Sequence, residues 1–292
     1  MGSPTTLERK GMLEERDEFV EKFFSWINER TSIQVKKDAG QPWPWTEDKI
    51  LREFKFTNAF REKDKPTVWF RENIRDPLKD SHDVYMATVI FRWFNLIETG
   101  ETLLRHNLHV DWDPQKAYEA IIPQDKWITG AYMIKSPTGR NKVKGVCQTI
   151  STVWEGRAHF LRKTPWASLE KMCYFLEGYP FLGPFLAYEI VTDLRHTCIG
   201  DEALDINTWA NAGPGAMRGL NRIFGRELTY VSKRHDWCSE MRKLLDISDL
   251  YLEKGVGTLE LRDIEHSLCE FDKYERVRNG QGQPRSKYYP SV

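Results

Sequence analysis

The chain has 292 residues, 40% of them hydrophobic, and 43 basic side chains against 43 acidic ones, so it can bury a sizeable core and carries no net charge that would draw it to a polyanion. Any nucleic-acid surface must be a local patch of Lys and Arg. No apolar run is long enough to span a bilayer and no charged-then-apolar leader is readable, so we expect a soluble, unsecreted, cytoplasmic protein.

The five cysteines, Cys147, Cys173, Cys198, Cys238 and Cys269, are odd in number, widely spread and without a C-x-x-C pair, so reduced thiols are expected and no zinc site is readable. Cys173 and Cys269 lie in apolar helical patterns and read as packed small hydrophobes rather than nucleophiles. Eleven Trp, eleven Tyr and fifteen Phe suit a large core and equally suit base stacking.

From Leu13 to Arg30 the apolar Phe19, Phe23, Phe24 and Ile27 recur at helical spacing, which predicts an amphipathic helix. Gln41-Pro-Trp-Pro-Trp45 ends that unit. Thr46, followed by Glu47 and Asp48, reads as an N-cap, and the helix it opens is expected to carry Ile50, Phe54 and Asn58. Asp83 to Thr99 predicts a strongly apolar helix, Asp111 to Gln124 a short one, Ile128 to Pro137 a turn, and Gly139 to Gly145 a basic flexible loop. From Gly145 onward nearly everything reads as helix. No strand signal alternates over more than a few residues, so the fold class is mainly α.

Two helices hinged on a glycine turn stand out at Leu176 to Leu194. Pro184 sits where the second helix would begin, at no cost in hydrogen bonding, and Gly178 and Gly183 free the backbone to approach a phosphate. Glu189 and Asp193, four apart, form either a solvated face with bridges to Arg195 or Lys171, or a substrate-facing pair of catalytic carboxylates. Asp205 either caps the next helix or acts near a base held by the hairpin. Gly213-Pro-Gly215 is a second tight turn, and Arg218 and Arg222 share a face of the helix after it, a geometry suited to an anion.

Asn58 and Arg61 lie three apart, with Asp64 one turn on, and Arg92 and Asn95 repeat the theme among aromatics in Phe91-Arg-Trp-Phe-Asn95. A charge in such surroundings needs a partner, for which Asp64 is the structural candidate, or a ligand. The last helix, about Leu259 to Arg276, has an apolar stripe of Leu261, Ile264, Leu268 and Phe271 opposite Arg262, Glu265, Glu270, Lys273 and Arg276. The tail beyond it, with Arg285 and Lys287, is basic and either lies on a nucleic-acid backbone or is a plain terminus.

Phe56-Thr-Asn58 with Phe60-Arg61 and Asp64, Phe91 to Asn95, Gly130-Ala-Tyr-Met133, Gly183 to Glu189 with Asp193-Leu194, Gly213-Pro-Gly-Ala216 and Glu265 to Lys273 together resemble the amino acid:DNA transferase family of bacteriophages. That family is related to the thymine pyrophosphorylase-like proteins and to the helical domain of hydroxymethyluracil DNA kinases. The hairpin with its downstream Asp also resembles the helix-hairpin-helix DNA glycosylases.

The resemblance implies a single glycosylase-like helical domain, residues 46–276, between an N-terminal helical extension, 1–45, and a basic tail, 277–292. It implies transfer of an amino acid, glycine by analogy, to pyrophosphorylated 5-hydroxymethyluracil in double-stranded phage DNA inside an infected bacterium. The amine attacks the exocyclic methylene and pyrophosphate leaves. Catalysis then falls to Asp205, Glu189 and Asp193. Substrate and pyrophosphate binding fall to Asn58, Arg61, Asp64, Arg92, Asn95, Arg218, Glu265 and Lys273, and DNA binding to Gly178, Tyr179, Gly183, Gly213, Gly215, Arg285 and Lys287.

A base inside a duplex must be flipped out to react, and Tyr179, Phe181 and Trp209 are candidates to stack on it. No cofactor is implied, beyond Mg2+ as the ion a pyrophosphate brings with it. The chain carries no Gly-x-x-x-x-Gly-Lys-Ser/Thr loop, so it is not expected to be the kinase itself. The rival readings are a glycosylase using Asp205 and a non-catalytic DNA-binding module.

Overall fold

A computed structural model describes residues 17–130, 133–137, 141–284 and 286–289, without the side chains of Asp17, Arg234 and His235. The protein is mainly α. It forms two compact units: unit 1 joins residues up to Asp64 with those from Asn207 onward, and unit 2 is the intervening Lys65–Ile206.

Unit 1 contains α1 (Asp17–Asp38), α2 (Lys49–Glu53), a 3-10 turn (Arg61–Lys63), α11 (Pro214–Ile223), α12 (Arg234–Ile247) and α13 (Leu261–Arg278). Six apolar side chains of α1, Val20, Phe23, Phe24, Trp26, Ile27 and Ile33, are buried. Phe23 meets Phe271 of α13 edge to face at 5.5 Å between ring centroids. The segment expected as an extension is thus built into this core, where each large apolar side chain contributes about 1.5–3 kcal/mol.

The N-cap of α2 is Asp48 rather than Thr46, because its Oδ1 accepts from the Ile50 and Leu51 N–H groups at 2.7 and 3.0 Å. The helix stops at Glu53, so Asn58 belongs to the irregular segment that follows. α13 opens on a capping box formed by Glu260 and Asp263.

α11 and α13 pack at unusually short range. A Cβ added to Gly219 would lie 2.4 Å from the Leu268 carbonyl oxygen, and one added to Gly215 would lie 2.4 Å from the Cys269 sulfur. Glycine at these two positions of α11, one turn apart, is what admits the backbone of α13.

Unit 2 contains α3 (Lys65–Phe70), a π-helical turn (Arg71–Arg75), α4 (Asp76–Leu78), α5 (Asp83–Phe94), α6 (Ile97–Arg105), α7 (Pro114–Ile121), α8 (Lys142–Leu161), α9 (Leu169–Glu177) and α10 (Pro184–Leu194). The helical run from Lys65 to Leu78 has no counterpart in the sequence reading. The helix expected over Asp83 to Thr99 divides at Asn95, which takes a left-handed conformation at φ 45° and ψ 43° that Asn tolerates.

α9 and α10 form the expected hairpin, with Pro184 at the start of α10. Gly178 and Gly183 have φ of −69° and −78°, so neither uses a conformation reserved for glycine. The left-handed residue of the turn is Phe181, at φ 63°. α10 is buried on every face from Leu186 to Leu194, among α5 and α9.

Replacing Gly219 by Ala should destabilise the protein by roughly 1–3 kcal/mol in urea unfolding, the cost of overpacking. Replacing Gly183 by Ala, where an added Cβ meets nothing within 4 Å, should change stability far less.

Candidate functional site

The expected site residues fall in both units, and the densest group surrounds α13. On this helix Glu265, His266, Cys269, Glu270, Asp272, Lys273 and Arg276 recur at helical spacing and make one continuous polar arc. A polar arc inside a core survives only if its charges are matched, and here each has a partner.

Asp272 is fully buried and lies under three arginines. Its oxygens accept from Nε of Arg218 and Nε of Arg222, both at 2.9 Å, and Nε of Arg276 lies 3.4 Å away. Arg222 also donates to the Gln281 side chain at 2.7 Å. Three guanidinium groups on one carboxylate leave a local excess of positive charge. Arg218 and Arg276 remain about one-third exposed, so their outer nitrogens face a medium from which an anion can approach.

On the other flank of the arc, the segment from Phe56 to Asp64 is tied down by α13. Thr57 N–H donates to Glu270 at 2.9 Å, and Arg61 N–H donates to Asp263 at 3.0 Å. Asn58 N–H donates to Asp64 at 2.9 Å. Thr57 Oγ1 and His266 Nε2 are 2.7 Å apart, and Asp64 Oδ2 is 3.5 Å from the same nitrogen. Lys273 pairs with Glu270 at 2.6 Å and sits over the Phe56 ring. Asn58, Arg61, Asp64 and Lys273 are therefore gathered here, together with Asp263, His266 and Glu270, which the sequence reading did not select as site residues.

Electrostatics follow from that gathering. Burial pushes the Asp64 carboxyl up, but the hydrogen bond and charge of His266, with help from Arg61 and the Asn58 N–H, hold it below the usual range. Burial pulls the His266 imidazole down, and Asp64 more than offsets this, with Glu270 assisting and Arg61 opposing, so the ring stays protonated above its ordinary pKa. The His266 contribution to stability is present below the ordinary histidine pKa and is lost as pH rises through its raised value. That of Asp64 is present above the ordinary carboxylate pKa and is lost as pH falls through its lowered value. Burial lifts the Asp263 carboxyl despite Arg262 and two backbone donors.

All five cysteines are free thiols. Cys173 is buried as expected, but Cys269 is open to solvent in the middle of the arc. Burial of its sulfur against Gly215 comes first, and the charges of Glu270, Glu265 and Asp272 add to it, pushing the thiol up to about 12, so it is no thiolate nucleophile at neutral pH. Among the described residues no group of three or more His, Cys, Asp or Glu is arranged to hold a metal ion, and no helix is long and apolar enough to cross a membrane.

Glu265 stands at the mouth of α11, where Gly213 N–H approaches its Oε1 at 3.4 Å. Gly213 and Gly183 begin their helices alike, each followed by Pro and each with open space above it. Gly215 is instead spent on packing against Cys269.

In unit 2, Arg92 is fully buried and grips Asp193, its Nη2 donating to Oδ1 at 2.8 Å and its Nε to Oδ2. The same guanidinium donates to Asn95 at 2.9 Å and Thr67 at 3.1 Å, and Arg75 lies 3.8 Å from the same carboxylate. Arg92 thus pairs with Asp193, not with Asp64 as the sequence suggested, and Asp193 does not reach solvent. Glu189, one turn earlier on α10, is also buried.

Asp205 does not cap the helix after it. It reaches back to the start of α9, accepting from the Ser168 hydroxyl at 2.8 Å, Leu169 N–H at 2.7 Å and Glu170 N–H at 3.1 Å. Tyr179 packs on α8, where a Cβ at Gly156 would meet its hydroxyl at 2.5 Å, whereas Tyr174, Phe181 and Phe185 of the hairpin are exposed. Trp209 is buried. Lys287 is exposed, its backbone bridged to Phe54, and Arg285 lies outside the described residues, as do Ala131, Tyr132, Gly139 and Arg140.

The family model for the helical domain of 5-hmdU DNA kinase matches residues 17–283. The chain belongs to that family. A member of known description, the 5-hmdU DNA kinase of Bacillus phage SP10, is 25% identical over 283 residues, covering 86% of this chain and 44% of the relative. The chain therefore spans less than half the length of that relative. No solved structure matches it.

The two engaged carboxylates give distinct expectations for stability. Asp193→Asn, which leaves Arg92 buried against a neutral amide, should cost roughly 3–5 kcal/mol in urea denaturation. Asp205→Ala, which uncovers donors at one helix end, should cost about 1–2 kcal/mol.

Proposed function

We propose that this chain acts on hydroxymethyluracil-containing phage DNA as an amino acid:DNA transferase, in which an amine, glycine by family resemblance, displaces pyrophosphate from the pyrophosphorylated base. The observation that carries this reading is the excess positive charge of Arg218, Arg222 and Arg276 on the single carboxylate of Asp272. A departing diphosphate needs cations that are already in position, because preorganised charge costs no reorganisation when the bond breaks. Lys273 is within the same arc. Glu265, at the mouth of α11, suits the incoming amine.

The relationship supports a substrate of this kind, since the relative is named for a kinase acting on 5-hmdU in DNA. That relative is more than twice as long as the matching region, and this chain has no Gly-x-x-x-x-Gly-Lys-Ser/Thr loop. Phosphoryl transfer from ATP is accordingly assigned to other parts of such kinases, and this chain to a neighbouring step on the same base in the infected cell. Mg2+ enters only as the ion that a pyrophosphate carries.

Within unit 1, duplex DNA would be met at the helix start of Gly213, beside Glu265, with the target base flipped out. Asp193 and Asp205 are engaged as structural groups, which also weighs against a glycosylase built on Asp205.

Duplex DNA containing hydroxymethyluracil, a phage hydroxymethyluracil kinase, ATP and single amino acids are incubated with the chain, and the digested nucleosides are weighed. A nucleoside heavier by one amino-acid residue is expected, and Arg218→Ala combined with Arg276→Ala should lower its yield by at least tenfold. Demonstrably pyrophosphorylated DNA that yields no adduct with any amino acid rejects the transferase. Abasic sites in its place identify the glycosylase.

A further inference from the structure

We propose that His266, held by Asp64 and Thr57, is the proton-transfer group of the reaction, giving its proton to the oxygen on which the diphosphate departs. The inference rests on the transferase reading and adds to it a residue that no motif in the sequence suggested.

Three observations carry it. His266 Nε2 is committed inward, 2.7 Å from Thr57 Oγ1 and 3.5 Å from Asp64 Oδ2. Nδ1 has no protein partner among the described residues, and the side chain is 19% exposed, so the ring has one nitrogen anchored and one left to give. The neighbourhood is fixed from both sides: Asp64 is held by Asn58 N–H, Thr57 by Glu270, and Lys273 lies beyond Glu270. A carboxylate that orients one nitrogen of an imidazole and stabilises its charged form is an arrangement that readies the other nitrogen for proton transfer.

The charged groups facing the ring are Asp64 and Arg61 from the 56–64 segment and Glu270 from α13, and their balance favours the imidazolium. Cys269, three residues on, is neutral at physiological pH and does not compete as a donor.

The step balances as follows. The amine lone pair forms the C–N bond at the exocyclic methylene while the C–O bond breaks, its electron pair passing to the diphosphate oxygen. That oxygen takes the proton from Nδ1. The secondary ammonium formed at the methylene then returns a proton to the imidazole, so the net change is transfer of one amine proton to pyrophosphate, with no oxidant or reductant involved.

Single-turnover kinetics of His266→Asn on pyrophosphorylated DNA test this, with Thr57→Val and Asp64→Asn as companions that keep the ring. His266→Asn should lower kcat by about 10²–10⁴ with KM for DNA little changed. Wild-type activity should fall as pH rises through the raised imidazole pKa, and Asp64→Asn should move that limb to lower pH. An active His266→Asn with the wild-type pH profile overturns the proposal while leaving the transferase intact.

If the wild-type chain makes no adduct, the transferase reading fails, and His266 is judged by a second measurement. Inorganic pyrophosphate should shift its imidazole resonances and raise its pKa in NMR titration, and an unmoved ring overturns the proposal. Should His266→Asn not fold, Thr57→Val must still reduce kcat at least tenfold, and a wild-type rate for that variant overturns the proposal as well.

Discussion

The fully buried carboxylate of Asp272 is the constraint on which the architecture of unit 1 turns. A lone charge there would be prohibitively costly, so arginines from α11 and α13 must converge on it, and they can do so only because Gly215 and Gly219 let the two helices close to backbone range. One consequence is geometric, since α11 is set against α13 in a single register. The other is electrostatic, since three cations answer one buried anion in a chain of zero net charge.

Unit 2 meets a similar demand differently. Arg92 grips Asp193, with Asn95 and Thr67 taking further guanidinium hydrogens, and Arg75 beside the same carboxylate has Asp76 as a second partner, so the buried group is closed and leaves little for a ligand. Similar residue types thus have opposite characters: a saturated pair that fixes α5 to α10, and an unsaturated cluster that fixes α11 to α13 while keeping charge in reserve. Counting arginines would not have separated them; counting their acceptors does.

What the sequence revealed was what is local. Pro184 announced the start of α10, the apolar stripe Leu261, Ile264, Leu268 and Phe271 announced α13, and the odd, scattered cysteines announced free thiols. Asn58, Arg61 and Asp64 were legible as a polar group needing company. Their company was not, because His266 and Glu270 lie some two hundred residues away and a lone His in an amphipathic helix carries no signature. Asp193 and Asp205 show the same limit: each was read against neighbours in sequence, while their partners are Arg92 and the start of α9. The π-helical turn from Arg71 to Arg75 follows no periodicity that a pattern of apolar residues could reveal.

The order of segments along the chain has a bearing on biosynthesis. Unit 2 is contiguous and has all its parts once residue 206 has been made, whereas α1, α2 and the 56–64 segment emerge first and find α13 only after the whole of unit 2 has followed. Until then Phe23 and Phe24 of α1 lack their native ring partners, Phe271 and Tyr251. Closing a loop of that size is the slow step to expect in folding, and the nascent N-terminal helix is the segment on which a holding chaperone would act.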